Sequence, residues 1–184
     1  MAGPREKIID ATIACIEEKG SASISLRDIS KKAGVALSQI HYYFSGKEGL
    51  LIEVASNFMM EEQEEIKSYL SEIKEPIERI EKAIDFLREQ YQKNPMMQKV
   101  YFELMHMGNW NPLIAEKTRI LHEKWIEMIL QDDLAIGITD RSLARFIVVF
   151  LDGLAMHSLQ GVAREEIDKT FDFFRGTIKN YIEK

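Results

Sequence analysis

Apolar residues recur three and four positions apart over nearly the whole chain, and no segment sustains the two-residue alternation of a strand. Ile8, Ile9, Thr12, Ile13 and Ile16 share one side of a first helix that Gly20 ends. Pro4, Pro76, Pro95 and Pro112 each fit a first helical turn, where the missing N–H costs nothing. Asn94 and Asn111 stand just before two of them, where an amide side chain caps orphan donors. Period and breakers together predict helices over about 5–20, 26–32, 37–43, 46–70, 76–93, 95–107, 112–131, 140–160 and 164–183. The fold class is therefore all-α, with about nine helices and short joints.

The densest information lies between Ile24 and Leu51, ISLRDISKKAGVALSQIHYYFSGKEGLL. Ser25 and Asp28 form a capping-box sequence, and Ser45-Gly46-Lys47-Glu48 repeats the device at the start of the fourth helix. Ile29, Ala33, Val35, Ile40 and Phe44 between them supply the small core that three helices need. Two short helices across an Ala-Gly-Val turn make a helix-turn-helix, whose second helix fits a major groove. The expected organisation is a three-helix reading head over 1–50, followed by a helical ligand-sensing and dimerisation domain over 51–184.

Charge changes this picture in one respect. The chain carries a formal charge of -6, yet residues 19–50 hold five basic and two acidic side chains, and residues 51–184 hold 17 and 24. A locally positive head suits phosphate contacts, while the acidic remainder argues against a protein that coats nucleic acid along its whole surface. The one cysteine, Cys15, falls on the apolar side of the first helix and reads as a buried thiol. His41, His106, His122 and His157 are scattered, with no metal-ligand or acid–base spacing around them, and Asp132-Asp133 reads as a helix-end feature. No catalytic residue, metal or cofactor is expected, and an enzyme is the weakest reading. There is no signal-like segment and no run of 18 apolar residues, so the expectation is a cytoplasmic protein with no membrane partner.

The run LRDISKKAGVALSQIHYYFSGKEGLL resembles the reading head of the TetR family of bacterial transcriptional regulators. The resemblance covers roughly the first 50 residues. Beyond them the match is one of length, helix number and apolar ending. It implies a dimeric repressor whose carboxyl-terminal domain binds a small molecule and so alters the separation of two heads on a palindromic operator. Carried onto this chain, the recognition helix is Leu37–Tyr43. Ala36 stands where a capping hydroxyl is usual, and His41 and Tyr43 exchange the usual order of tyrosine and histidine. Gln39 is the foremost candidate for reading adenine, with Ser38 beside it and Leu37 toward a thymine methyl or a sugar. His41, Tyr42, Tyr43 and Lys47 are assigned to phosphates, with Arg27 in support.

The middle helices are rich in methionine and aromatic residues. Met59, Tyr101, Phe102, Met105, His106, Trp110 and Trp125 are the expected lining of an adaptable apolar site, with His106 and Tyr101 as polar handles. The last two helices carry broad apolar stripes, and Phe146, Phe150, Gly153, Leu154, Phe171, Phe174 and Ile178 are expected at a homodimer interface. The function that follows is a ligand-responsive repressor of double-stranded DNA, released by an apolar small-molecule effector. An activator, or a regulator answering to a protein partner, is the alternative. The fourth helix, running from Lys47 past Met59, is the expected mechanical link.

Overall fold

The computed structural model describes residues 3–93, 95–130 and 134–182. Among them are nine α-helices: α1 (Pro4–Lys19), α2 (Leu26–Ala33), α3 (Leu37–Phe44), α4 (Lys47–Leu70), α5 (Pro76–Lys93), α6 (Pro95–Gly108), α7 (Pro112–Leu130), α8 (Arg141–Leu159) and α9 (Arg164–Ile182). Every boundary falls within one residue of the expected one, and no strand occurs among the described residues. Asn111 caps α7 as expected, its Oδ1 accepting from the Leu113 amide at 3.0 Å. Asn94 and Asp132-Asp133, read as a cap and a helix end, lie outside the described residues.

The chain forms two compact units, Met1–Met60 with Met96–Arg119, and Glu61–Pro95 with Ile120–Lys184. Helices α4 and α7 each contribute residues to both. Residues 1–50, expected as the head, lie wholly within the first unit, and residues 51–184 are divided between the two. In the first unit the core of the head is Ile8, Ile16, Ile29 and Ile40, each at most 2% exposed, with Cys15 among the buried residues as expected. Burial raises the thiol's pKa, which makes Cys15 a poor nucleophile. Leu50, Leu51 and Val54 of α4 and Val100 and Leu104 of α6 are buried in the same unit.

The second unit is ordered by α5. Its apolar side joins Ile80, Ile84 and Phe86 to Ile126, Ile147, Phe171, Phe174 and Ile178 in one core. Its polar side forms a ladder with α9. Lys179 pairs with Glu81 at 3.0 Å, Arg175 with Asp85, Arg88 with Asp172, and Gln92 with Asp168 at 3.1 Å. Each rung is partly exposed and adds little stability alone, but the regular steps fix the antiparallel register. Helix α8 is long and apolar enough to cross a membrane by length and composition alone. Six of its side chains, from Leu143 to Ala155, are instead buried in the core of this unit.

Arg79, at the first turn of α5, closes the unit. It is 9% exposed, and among the described residues its partners are backbone carbonyls. Its Nε donates to the Leu134 carbonyl at 2.7 Å and its Nη1 to the Leu70 carbonyl at 2.8 Å, with the Ile73 carbonyl also on Nη1. Leu70 ends α4, so the guanidinium satisfies an acceptor that the helix itself leaves orphaned. Removing it strands several buried carbonyls at about 1–3 kcal/mol each. Arg79→Ala should therefore lower the unfolding free energy by about 3 kcal/mol or more in a denaturant melt. Arg79→Lys should recover little, because an ammonium cannot reproduce the guanidinium fork.

Candidate functional site

The head is built from two helices whose ends are fixed locally. Ser25 Oγ accepts from the Asp28 amide at 3.2 Å while Asp28 Oδ2 accepts from the Ser25 amide at 3.1 Å, the reciprocal box expected from sequence. Hydrogen bonds from Ser25 and Lys19 hold the Asp28 carboxyl down at about 2. Gly34 ends α2 in the left-handed region at φ 66°, and Ser30 Oγ donates across the turn to the Val35 carbonyl at 2.8 Å. Helix α3 then presents Ser38, His41 and Tyr42 to solvent, with Tyr42 82% exposed, while Ile40 and Phe44 point inward. Tyr43 is exposed too and meets Tyr42 edge to face at 5.0 Å; Arg27 is exposed and Leu37 half-buried.

Two expected contacts are engaged inside the protein. Ala36 has no capping side chain, so only the reciprocal half of a capping box forms: Gln39 Oε1 accepts from the Ala36 amide at 3.1 Å. Gln39 therefore stabilises the start of the helix with the same atom that would read an adenine. Lys47 is also turned inward. Its Nζ donates to the Ala22 carbonyl at 3.2 Å and lies 3.7 Å from Glu103 Oε1 on α6. A phosphate would have to share Lys47 with both.

The joint between α3 and α4 is tight. Ser45 takes a left-handed conformation at φ 60° and Gly46 lies at φ 136°. A Cβ on Gly49 would fall 1.9 Å from the Phe44 carbonyl oxygen, so only glycine lets α4 begin so close beneath the end of α3.

The expected effector residues are placed unequally. In the first unit Met59 is buried, Tyr101, Phe102 and Met105 are half-buried, and His106 and Trp110 are exposed, Trp110 by 83%. Trp110 and His106 thus face solvent and enclose nothing in this structure. Trp125, in the second unit, packs half-buried against that unit's core. Sequence reading passed over a polar group in the second unit. His122 Nε2 lies 3.2 Å from Asp152 Oδ2, linking α7 to α8, and the Tyr91 hydroxyl of α5 donates to the Leu151 carbonyl at 3.3 Å. Burial, then the Asp152 charge, pushes the Tyr91 hydroxyl well above its ordinary range. Three helices thus bring polar groups together, and Trp125 follows His122 by one turn on α7. Their signal was present only as isolated residues on three separate helices.

Glu62 was also missed. On α4 it follows buried Met59 by three residues and precedes buried Ile66 by four, so it interrupts an apolar stripe with a carboxyl group. Burial, then the Glu65 carboxylate, pushes Glu62 up to about 7. Among the described residues no group of three or more His, Cys, Asp or Glu is arranged to hold a metal ion.

The expected interface residues divide in two. Phe171, Phe174 and Ile178 are at most 2% exposed and Leu154 is 7%, so all four belong to the core of their own unit. Phe150 is half-buried and stacks on Phe174 at 4.1 Å. The apolar surface left on α8 and α9 comes from Phe146, Val149, Met156 and Phe173, of which Phe173 is 77% exposed. A groove of about 440 Å³ crosses this surface over Gly153, between Val149 and Thr170.

Residues 8–54 match the family described as bacterial regulatory proteins, tetR family. The regulator YvdT of Bacillus subtilis is 41% identical over 69 residues, which span 38% of this chain and 36% of YvdT. YttP of the same organism is 27% identical over 134 residues, 70% of this chain and 63% of YttP. The chain therefore aligns with between about a third and two thirds of these relatives' length. Similarity of fold extends much further. A TetR transcription regulator from Haloarcula marismortui superposes with a TM-score of 0.75 at 20% identity, covering 98% of this chain and 96% of that one. A transcriptional regulator from Saccharomonospora viridis in complex with choline gives 0.69 at 18% identity, over 92% and 94%.

Two predictions rest on this geometry. An alanine in place of a helical glycine ordinarily adds about 1 kcal/mol of stability. Gly49→Ala should do the reverse and destabilise the fold by about 1–3 kcal/mol in a thermal or denaturant melt, because a backbone oxygen cannot yield as a side chain would.

The second concerns pH. Glu62 binds its proton more tightly folded than unfolded, so its stabilising contribution is complete below about 4.5 and is lost as pH rises through about 7. Glu62→Gln should remove that loss. Melting curves should show the variant gaining on the native chain between those two pH values, with a constant gap above them.

Proposed function

This chain belongs to the TetR family of helix-turn-helix regulators, and we propose that it is a transcriptional repressor that binds a palindromic operator as a homodimer and is released by an apolar small molecule. The observation that carries the reading is the outer face of α3. Ser38, His41, Tyr42 and Tyr43 stand exposed on a short helix whose buried side anchors it to the head. That is the arrangement in which one helix enters a major groove while its neighbours grip the backbone. Ser38 and Gln39 are the base readers. His41, Tyr42, Tyr43 and Arg27 hold phosphates, and Lys47 joins them if it leaves Ala22 and Glu103. Gln39 reads a base only by releasing the Ala36 amide, which a phosphate oxygen at the helix start would then satisfy.

Dimerisation is assigned to the exposed residues of α8 and α9. Phe146, Val149, Met156 and Phe173 form an apolar surface that water would otherwise cover, and a second copy pairs it with itself about a two-fold axis. The effector reading rests on the second unit, where Tyr91, His122 and Asp152 supply polar handles beside Trp125. The fold accommodates small organic molecules, as the choline complex of the Saccharomonospora viridis protein illustrates for that protein. Release requires that effector and operator favour different states of the chain. Helix α4, with residues 47–60 in one unit and 61–70 in the other, is the covalent path between the two roles.

Selection of bound duplexes from a random library, followed by titration of the best one, tests the reading. The selected site should be an inverted repeat, bound by two chains, with affinity falling steeply between about 50 and 200 mM salt. Gln39→Ala should cost about 1–3 kcal/mol on that site and relax preference at particular base pairs. Val149→Glu should yield monomers and lose the site. Enrichment of no sequence, or full affinity from a monomer, would overturn the proposal.

A further inference from the structure

Lys47, the first residue of α4, turns its side chain into the first unit. Its ammonium carries three donors on a flexible stem. One of them goes to the Ala22 carbonyl at 3.2 Å. Glu103 Oε1, on α6 of the same unit, lies 3.7 Å away. That is close enough for attraction, yet longer than the charge-assisted hydrogen bond of about 2.7–2.9 Å that a relaxed pair makes. Glu103 Oε2 is buried and has no hydrogen-bond partner among the described residues. Val100, one turn earlier on α6, and Leu104, the next residue, are both fully buried.

The pair differs from the others that hold the head. Arg5–Glu53, Lys19–Asp28 and Lys32–Glu18 each have one side chain at least 47% exposed, whereas Lys47 and Glu103 are 23% and 18% exposed. Water therefore screens the attraction between Lys47 and Glu103 less. Lys99, one turn before Glu103, is exposed, and Lys47 is the only cation paired with Glu103 among the described residues. A hydrophobic side chain at position 103 would pack beside Val100 and Leu104 without leaving an acceptor unmet. The compensation for placing an acid there is its hold on Lys47.

We propose that Glu103 is an autoinhibitory side chain: it competes with the DNA backbone for Lys47 and keeps the affinity of the head below what its basic residues would give. This rests on the reading of the chain as a DNA-binding regulator, and it names a residue of α6, outside the reading helices, that sets the strength of binding. A phosphate gains Lys47 only by taking it from a partly buried carboxylate, which is then left with both oxygens unpaired. No base takes part in that competition, so it lowers the affinity for cognate and unrelated DNA together.

Titration of the full chain against the selected operator and a random-sequence duplex, over about 50–200 mM salt, tests this as a double-mutant cycle. Glu103→Gln should bind both duplexes about threefold more tightly or better, with a salt slope steeper by about one. Glu103→Met, which removes the charge and both oxygens, should reproduce the gain. Glu103→Gln added to Lys47→Ala should change neither affinity nor slope. Unchanged or weaker binding by both Glu103 variants, or loss of the fold in both, would overturn the autoinhibitory contact while the repressor reading stands. A gain that persists beside Lys47→Ala would reduce the effect to bulk charge and overturn the contact as well. If neither the native chain nor any variant binds either duplex, the reading and the contact fall together.

Discussion

The carbonyl oxygen of Phe44 occupies the space that any side chain at position 49 would need. That close approach fixes where α4 starts relative to the helix offered to solvent at Ser38, His41 and Tyr42. At its other end, the last carbonyl of α4 is held by the buried guanidinium of Arg79. The longest helix of the chain, 24 residues, is thus tied at both ends through backbone oxygens. Backbone ties of this kind have little slack. A side-chain contact can change rotamer, whereas a carbonyl moves only with its helix. Whatever displaces α4 must therefore displace an end of it, and the end beside Phe44 is joined to α3.

Helix positions were legible in the sequence because the breakers coincide with the changes of period. Prolines open helices, glycines close them, and the Ser25–Asp28 capping box opens α2, so local chemistry and tertiary arrangement agree there, whereas Ser45, expected in a second box, instead closes α3 in a left-handed conformation. Cys15 was legible for the same reason, since it sits within a run of apolar residues at helical spacing. Burial of an apolar stripe was legible as well, but not the identity of what buries it. Phe171, Phe174 and Ile178 were expected at an interface between copies, but α5 covers them from within the same unit. The leftover apolar surface falls on Phe173 and Val149, one or a few positions round the same helices.

Polar roles were the least legible. Gln39 carries the right amide for an adenine, but its oxygen is already engaged by the Ala36 amide at the helix start. Lys47 looks like a phosphate ligand at a helix start until the carbonyl of Ala22 and the carboxylate of Glu103 meet it. His122, Asp152 and Tyr91 are separated by about thirty residues from one to the next, and no spacing rule connects them. Glu62 was the exception, since a carboxylate inside an otherwise apolar stripe is a signal that the sequence does contain. It was obscured by Glu61, Glu64 and Glu65 around it, which make the segment read as an ordinary solvated face.

The same crowding of acids bears on the division of labour along the chain. Acidic residues outnumber basic ones after residue 50, yet most of the charge is neutralised locally: the α5–α9 ladder, and Glu123 held between Arg141 and Arg145, set carboxylates against cations within hydrogen-bonding distance. Paired charges contribute little to the distant field and little to stability, so their value lies in register. Glu62 stands apart: partial burial and the Glu65 carboxylate raise its pKa, and among the described residues no cation pairs with it. The head is arranged in the opposite sense. Arg27 and the exposed tyrosines of α3 are left in solvent, where they are costless to hold and available to a phosphate backbone.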